Sequence, residues 1–420
     1  MGNHSSFSLP DVPLDDIDLS TPEFWTKPRD YREGAFHTLR TQAPVRFFEE
    51  GEFPPIPKGP GYFALTRYDD IWHVSRNPAL FCSGNGSNIA DLPTEVNEFF
   101  GSMINMDDPK HFRLRSIVSK GFTPREISRV EGYVKDIATR LVDDVLERFP
   151  NRECDLVQEI AAPLPLRIIC EMMGIPAEDE KQIFAWTNTI LGGGDPEYGG
   201  TFEKLMEDAF AMFTYANQLG QSRLDNPQDD LTTALMHAEV DGDRLSPAEF
   251  GSFFILLVVA GNETTRNAIS HGVRLLTQNP DQRNLWYSDF EKHSRGAVDE
   301  IVRCATPVIH FRRTATEDTE IRGVKIPKGG KVVMFYASAN RDADVFADPF
   351  RFDINRDPTK QVGFGAGGPH FCLGANLARR EITVMFDEIR RRIPDLRVTS
   401  EPSWLQSAFI NGIKHIQCTW

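Results

Sequence analysis

Apolar residues recur at the three-to-four-residue spacing of helices over most of the chain after about residue 124. Thr123 followed by Pro124 is typical of a helix cap and a first-turn proline, and the pattern continues to about Arg148. A glycine-rich break at 192–196 separates this region from the helices that follow. The pattern predicts a mainly helical protein.

A second signal predicts one long helix near the middle of the chain. Ser246 and Glu249 have the spacing of a capping box, with Pro247 at the first helical position. The helix is expected to continue to about Gln278, which corresponds to a length of about 45 Å. Residues 253–260 are apolar on every side, so this helix is expected to cross the protein centre.

Short alternating segments predict strands on either side of the helical region. The fold class expected is therefore α+β, mainly helical, with small sheets to one side. We expect a single domain over residues 1–420, in which the acidic, proline-containing residues 1–30 run over the surface. The predicted strands are 45–49, 61–66, 306–312, 320–321, 324–326 and 331–336.

Composition narrows the class of protein. The formal net charge of −15 argues against nucleic-acid binding, which needs a basic surface. No run of about 18 apolar residues occurs, so no membrane span is expected. The six cysteines are scattered without a CxxC pair, and the N-terminus lacks the pattern of a signal peptide. A cytoplasmic protein fits these features.

The sharpest chemical feature is the glycine-rich segment 364–374, which contains Cys372. Glycines let the backbone turn tightly and approach a flat cofactor. A helix is predicted to begin at 373–375, and its N-terminal N–H groups are expected to lower the pKa of the Cys372 thiol. A thiolate placed in this way can ligate iron. The alternative for a lone cysteine is a buried structural residue.

Three further segments occur with this cysteine. Glu300 and Arg303 have the i, i+3 spacing of a helical ion pair, and Arg356 follows in a turn-rich segment. Residues 260–265 place small residues, an acid and two threonines in the long helix, where a threonine hydroxyl can bond to a carbonyl one turn back and open the helix. Taken singly, these segments also fit a surface ion pair and a helix kink.

Taken together, and in their order along the chain, these four features resemble the cytochrome P450 family. The resemblance covers nearly the whole chain. It implies a heme b group held between the long central helix and the cysteine loop, with Cys372 as the iron ligand. It also implies that Thr264 bonds iron-bound dioxygen and that Glu263 relays protons to it. Further residues implied to bind the cofactor are His111, Arg115, Arg313 and His370 at the propionates, Ala260 and Gly261 over the distal face, and Phe364, Gly365 and Gly374 in the loop. Glu300, Arg303 and Arg356 are implied to form a structural triad.

The loop departs from the family pattern at one point. The spacing from Phe364 to Cys372 is one residue longer than usual, which puts the stacking position of Phe364 in question. With this longer loop, the central helix and the segment after Cys372 are similar to an actinobacterial subgroup, including mycobacterial methyl-branched lipid ω-hydroxylases. That subgroup acts on methyl-branched lipids, isoprenoids or terpenoids, and sterol side chains.

The resemblance implies a monooxygenase that hydroxylates an apolar C–H bond with O2 and electrons from NAD(P)H. Because the chain contains no flavin or nicotinamide motif, a ferredoxin and a ferredoxin reductase are the implied partners. The arginines at 379–380 and 390–392 are either a docking surface for the ferredoxin or a solvated helix face. The expected substrate contacts are Asn88, Ile89, Met103, Leu257, Val308, Ile309, Phe409 and Ile410, with residues 84–105 as a lid.

Two alternatives remain at this point. One is a haem-dependent peroxygenase or isomerase that needs no redox partner, and the other is a non-catalytic haem sensor. The pairing of Glu263 with Thr264 argues against both, because neither needs a proton relay to dioxygen.

Overall fold

The structure is a computed structural model that describes residues 9–52, 55–119, 124–192, 195–198, 200–239 and 242–420. Only the backbone is described for residues 124–131. The predicted cap at Thr123 and part of the 192–196 break lie outside the described residues. The helices are α1 (Pro22–Thr26), α2 (Arg29–Gln42), α3 (Tyr68–Arg76), α4 (Thr94–Gly101), α5 (Lys110–Ser119), α6 (Pro124–Arg148), α7 (Pro163–Met173), α8 (Glu180–Leu191), α9 (Phe202–Asp225), α10 (Leu231–His237), α11 (Pro247–Gln278), α12 (Pro280–Ser288), α13 (Phe290–Ala305), α14 (Tyr336–Ala339) and α15 (Ala375–Arg392).

Small sheets complete the fold, as the sequence predicts. The strands are β1 (Val45–Phe48), β2 (Tyr62–Leu65), β3 (Phe81–Cys82), β4 (Glu153–Asp155), β5 (His310–Ala315), β6 (Thr319–Ile321), β7 (Val324–Ile326), β8 (Lys331–Phe335), β9 (Arg397–Val398), β10 (Ser403–Trp404), β11 (Ile413–His415) and β12 (Gln417–Thr419). The largest sheet has the order β1-β2-β8-β5-β3, in which β2 and β8 are parallel and the other pairs antiparallel. The others are β4-β12-β9, β10-β11 and β6-β7.

The long central helix α11 begins and ends where the sequence predicts. Both hydrogen bonds of the capping box are present: the Glu249 N–H donates to the Ser246 hydroxyl at 3.2 Å, and the Ser246 N–H donates to the Glu249 carboxylate at 2.9 Å. The helix packs against α7, α9, α13 and α15, and Phe253, Phe254 and Val258 are buried. It therefore crosses the protein centre.

Two local expectations are corrected. The helix is not interrupted at 260–265, because hydrogen bonding continues from Pro247 to Gln278. The strand expected over 306–312 begins only at His310, because Thr306 closes α13 in a left-handed conformation with φ 36°.

The N-terminal segment contributes more to the core than a surface path suggests. Its acidic residues are exposed, but Val12, Leu19, Phe24 and Trp25 are buried in a cluster with Phe335 of β8. The Trp25 indole N–H donates to the Leu19 carbonyl at 3.0 Å. Apolar side chains spaced along an otherwise polar segment thus anchor it to the sheet.

No helix in the described part of the chain has both the length and the apolar composition that crossing a bilayer requires.

Candidate active site

A cavity of about 1570 Å³, including its opening, lies between α11 and the cysteine loop. The wall on the α11 side is formed by small and apolar residues, and the opposite wall by the glycine-rich loop. Predicted site residues that line the cavity are Met103, Arg115, Leu257, Ala260, Gly261, Thr264, Val308, Arg313, Phe364, Gly365, His370, Cys372 and Gly374.

The Cys372 side chain reaches this cavity from the loop that precedes α15. Its backbone N–H donates to the Phe364 carbonyl at 3.0 Å, which closes the loop. Burial raises the pKa of the Cys372 thiol, while the Gly374 N–H and the cations Arg115 and Arg379 act in the opposite direction. The lowering effect expected from the N–H groups at the helix N-terminus is therefore present, through Gly374, but burial outweighs it in these surroundings.

The extra residue of the loop is accommodated by consecutive glycines. Gly367 and Gly368 have φ values of 76° and 78°, a region that L side chains rarely adopt. A Cβ at position 368 would lie 2.1 Å from the Ser75 carbonyl oxygen, so only glycine fits against α3 here. Phe364 still lines the cavity, with the Arg379 guanidinium 4.3 Å from its ring centre.

Four basic side chains converge at one side of the cavity. Arg115 and Arg313 each donate to a backbone carbonyl, of Phe371 at 2.6 Å and of Arg312 at 2.7 Å. Among the described residues, no carboxylate forms an ion pair with either guanidinium. The His111 and His370 rings are 4.3 Å apart, and the buried Nε2 of His111 has no described partner.

This cationic group fits the propionates of a haem. Burial, together with Arg313, His111 and Arg115, lowers the pKa of His370 to about 2, which reflects a buried site crowded with positive charge. Carboxylates are the groups that such side chains bind by charge-assisted hydrogen bonds. A cavity with a thiol on one side and this group at its rim is compatible with the predicted cofactor.

Thr264 and Glu263, the two residues predicted to act on dioxygen, lie in different surroundings. Thr264 lines the cavity, and its hydroxyl donates to the Ala260 carbonyl at 2.8 Å. Glu263 is buried outside the cavity wall, where it pairs with Arg266 and accepts a hydrogen bond from Asn267 at 3.0 Å. In this conformation Glu263 does not reach the cavity, because consecutive helical residues point in different directions.

An acid that sequence reasoning did not assign does line the cavity. Glu381 on α15 is buried, and burial raises the pKa of its carboxyl to about 8, opposed by a hydrogen bond with Thr265. Such a carboxyl is largely protonated at neutral pH. Its position seven residues after Gly374 places it on α15 facing α11, but the sequence alone gives no sign of its burial.

The predicted structural triad is assembled. The Arg303 guanidinium binds both oxygens of Glu300, at 2.7 and 2.8 Å, and Arg356 lies 3.3 Å from the same carboxylate. Arg303 also donates to the carbonyls of Asn340 and Pro349, at 2.7 and 2.8 Å. The triad therefore joins α13 to the segment that leads into the cysteine loop.

Five of the expected substrate contacts do not lie on the cavity wall. Asn88 and Ile89 are held by Arg312, which donates to both of their carbonyls at 3.3 Å. Ile309 is buried in the cluster beneath the main sheet, because its side chain alternates with that of Val308. Phe409 packs on the rings of His310 and Phe311, and Ile410 pairs with Val308 through its backbone.

The apolar residues that take their place look like core positions in the sequence. The wall includes apolar residues of α7 and α11, an aromatic residue of β5 and a residue beside Met103. Helical periodicity identifies them as buried without distinguishing a cavity from a packed core. They are Ile104, Ile169, Phe253, Leu256 and Phe311.

Comparisons with known proteins agree with this arrangement. The pattern of the family described as Cytochrome P450 matches residues 294–392. The chain is 53% identical over 411 residues to the methyl-branched lipid omega-hydroxylase of Mycobacterium tuberculosis H37Rv, covering 98% of this chain and 96% of the relative. It is 42% identical over 362 residues to the steroid C26-monooxygenase of Mycolicibacterium smegmatis, covering 85% and 83%.

A solved structure is similar along the same length. The cytochrome P450 of Mycobacterium marinum in complex with pseudoionone superimposes with a TM-score of 0.90 at 41% identity, covering 97% of this chain and 99% of that one. Relatives of this identity and coverage share the fold. This chain belongs to the cytochrome P450 family.

Proposed function

We propose that the chain is a haem-thiolate monooxygenase that hydroxylates an apolar, branched substrate. The observation that carries the proposal is the single cavity that brings Cys372 on one side and Thr264 with an apolar wall on the other. Cys372 would ligate the iron, and Arg115, Arg313, His111 and His370 would hold the propionates. When bound, the haem supplies the iron that activates dioxygen.

The apolar wall supports a hydrocarbon substrate. Leu257, Val308 and Phe311 offer no charge to a ligand, and Ile169 closes the wall from α7. The relatives are named for methyl-branched lipids and for steroid C26, and the Mycobacterium marinum structure contains pseudoionone. We propose that this chain takes a methyl-branched lipid, an isoprenoid or terpenoid, or a sterol side chain.

The cavity side chains also suggest how protons are held near the reacting atoms. Thr264 presents its hydroxyl at the distal wall, where it can give up its bond to the Ala260 carbonyl and donate to a ligand. Glu263 acts on this site through the helix: its pairing with Arg266 and Asn267 fixes the turn that carries Thr264.

Electrons are proposed to come from NAD(P)H through a ferredoxin and its reductase, in the cytoplasm. The arginines of α15 support docking only weakly, because acids neutralise them. Arg379 binds Asp299 at 2.8 Å, Arg390 binds Asp387 at 2.6 Å, and Arg392 pairs with Asp143. These ion pairs leave less positive charge on α15 to attract a ferredoxin, and Arg379 is mostly buried.

A spectral titration followed by turnover tests the proposed substrate class. The holoenzyme is titrated with a methyl-branched fatty acid, with its straight-chain isomer and with a sterol, and the low-to-high-spin shift of the haem spectrum is measured. We expect a saturable shift with a branched ligand, tighter than with the straight-chain isomer, and a hydroxylated product when NADPH, ferredoxin and reductase are added. Binding without product under these conditions would contradict the monooxygenase assignment, and equal affinity for the two isomers would contradict the branched class.

A further inference from the structure

A second cleft, of about 420 Å³ including its mouth, lies next to the active-site cavity. Thr306 and Ile309 line this cleft, whereas Pro307 and Val308 between them line the active-site cavity. The two spaces are thus separated by one segment of chain. Nothing in the proposed oxygenation reaction uses this cleft.

Three arginines line the cleft from two parts of the fold. Arg29 and Arg32 belong to the first turn of α2, and Arg341 follows α14. Arg29 and Arg341 both donate to the Cys304 carbonyl, at 3.1 Å each, and Arg341 also donates to the Pro349 carbonyl at 2.7 Å. These bonds hold the guanidinium groups in fixed positions around the cleft.

Several N–H groups of the arginines have no acceptor. Nη1 of Arg29 and Nε of Arg32 are buried from solvent, and neither has a hydrogen-bond partner among the described residues. Nε of Arg274, which is close enough to Arg29 and Arg341 to be repelled by them, is also buried without a partner among the described residues. A buried donor without an acceptor costs about 1–3 kcal/mol, more when it is charged, so these groups favour a bound acceptor.

The positive charge of the cleft is only partly compensated, by Glu33. Glu33 is the acidic residue among those that line it, and its Oε1 lies 3.7 Å from Nε of Arg29 and 3.9 Å from Nε of Arg341, too far for hydrogen bonds. Burial and the neighbouring Arg29 lower the pKa of Arg32 to about 10. Burial, with Arg29 and Arg341 nearby, lowers the pKa of Arg274 to about 9. This concentration of positive charge occurs in a chain whose formal net charge is −15.

We propose that this cleft is a binding site for a small oxyanion of the phosphate class. Planar guanidinium groups present paired donors that match the oxygens of such an anion, which would satisfy the unpartnered N–H groups and reduce the repulsion among the arginines. The bound anion would tie α2 to the end of α13 and to the segment after α14. The proposal is independent of the substrate and of the reaction proposed above.

Calorimetric titration of the holoenzyme with inorganic phosphate, at constant ionic strength in a chloride buffer, tests the proposal. We expect saturable binding with a Kd on the order of 1 mM or below, and a rise in the melting temperature over the same concentrations. Arg32→Gln is expected to weaken binding about tenfold, because it removes a donor and a charge without touching the bonds to Cys304. Arg397→Gln, an exposed arginine whose recorded bond is to the Asp395 carbonyl, is the control with the same loss of charge, and its affinity should match the wild type.

The result that overturns the proposal is an absence of saturable phosphate binding to the wild type, or equal binding by the two variants. A second titration with dihexanoyl phosphatidic acid distinguishes a free anion from a lipid headgroup. Tighter binding of the lipid, lost in Arg32→Gln, would identify the phosphate as part of a lipid and support the site. Lipid binding that is unaffected by Arg32→Gln would show that the phosphate group binds outside this cleft, which would contradict the proposal.

Discussion

Thr264 and Glu263 are adjacent on α11 and have different surroundings. The threonine hydroxyl lies on the cavity wall, whereas the glutamate is buried between Arg266 and Asn267. The proton-handling group at the reacting atoms is therefore expected to be the hydroxyl, and the ion pair is expected to hold the helix that carries it.

Replacement of Thr264 by alanine should separate NAD(P)H consumption from product formation. Loss of a group that positions a proton in the site lowers productive turnover, and we expect product per NAD(P)H to fall about tenfold while oxidation of the nucleotide continues. Both quantities are measured in the same reconstituted assay. Thr277→Ala removes a similar hydroxyl-to-carbonyl bond further along α11 and should leave the ratio unchanged. Unchanged coupling in Thr264→Ala would favour a peroxygenase, an isomerase or a sensor.

Gly368 provides a second test at a single residue. Gly368→Ala should destabilise the cysteine loop, because the new Cβ would meet the Ser75 carbonyl oxygen and the backbone would stay in a left-handed conformation. We expect a loss of about 1–3 kcal/mol, measured by chemical unfolding, together with a lower haem content. Gly132→Ala on α6 has free space and should stabilise the helix by about 1 kcal/mol. A Gly368→Ala protein as stable as the wild type would contradict this account of the longer loop.

At the scale of elements, α13 is joined to the cysteine-loop segment through Arg303. A lysine cannot reproduce its two bonds to Glu300 together with those to the Asn340 and Pro349 carbonyls. Arg303→Lys is therefore expected to lower the free energy of unfolding by about 3 kcal/mol, since the buried Glu300 carboxylate and the two carbonyls lose the hydrogen bonds of the guanidinium.

Arg295→Lys on the same helix is the matched control for Arg303→Lys. Arg295 pairs with Asp299 at 2.7 Å but is 56% exposed, so its replacement should change the unfolding free energy by less than about 1 kcal/mol. Similar losses in the two variants would show that the Glu300–Arg303 pair has no special structural role.

Strand β11 is held by a pH-dependent contact. His415 on β11 lies between Asp155, at 2.8 Å, and Glu197, at 2.5 Å. Partial burial acts to lower the pKa of His415, but the bonds to Glu197 and Asp155 outweigh it and the net direction is upward. A raised pKa in the folded state means that this stabilisation is complete below the unfolded value of about 6.5 and is lost as pH rises through the folded value.

His415→Gln should therefore cost more stability at pH 6 than at pH 9. The measurement is the free energy of unfolding of the wild type and of the variant at both values. His293→Gln on α13 serves as the control for loss of an imidazole outside this contact, and the penalty for His415→Gln is compared with it at each pH. A penalty for His415→Gln that is the same at pH 6 and pH 9 would be inconsistent with a charged His415 in the contact.

At the scale of the whole molecule, local sequence signals predict the helices and strands and the order of the site residues. They predict less well which residues line the cavity. The capping box of α11 and the Glu300–Arg303 spacing are local in sequence, and the structure has them as expected. The cavity wall depends on which side chains of distant elements face one another. The prediction of Asn88, Ile309 and Ile410 as substrate contacts is therefore wrong, and the sequence does not reveal Glu381 as a cavity residue. Which side of a strand or helix faces the cavity is set by tertiary contacts.

The central claim concerns the whole fold, which brings Cys372 to a cavity whose rim is basic. The most direct measurement is the absorption spectrum of the dithionite-reduced holoenzyme under carbon monoxide, for the wild type and for Cys372→Ser. The account predicts the band of a thiolate-ligated haem in the wild type and its loss in the variant. A histidine-type band in folded wild-type protein, or a thiolate band that persists in Cys372→Ser, would contradict it.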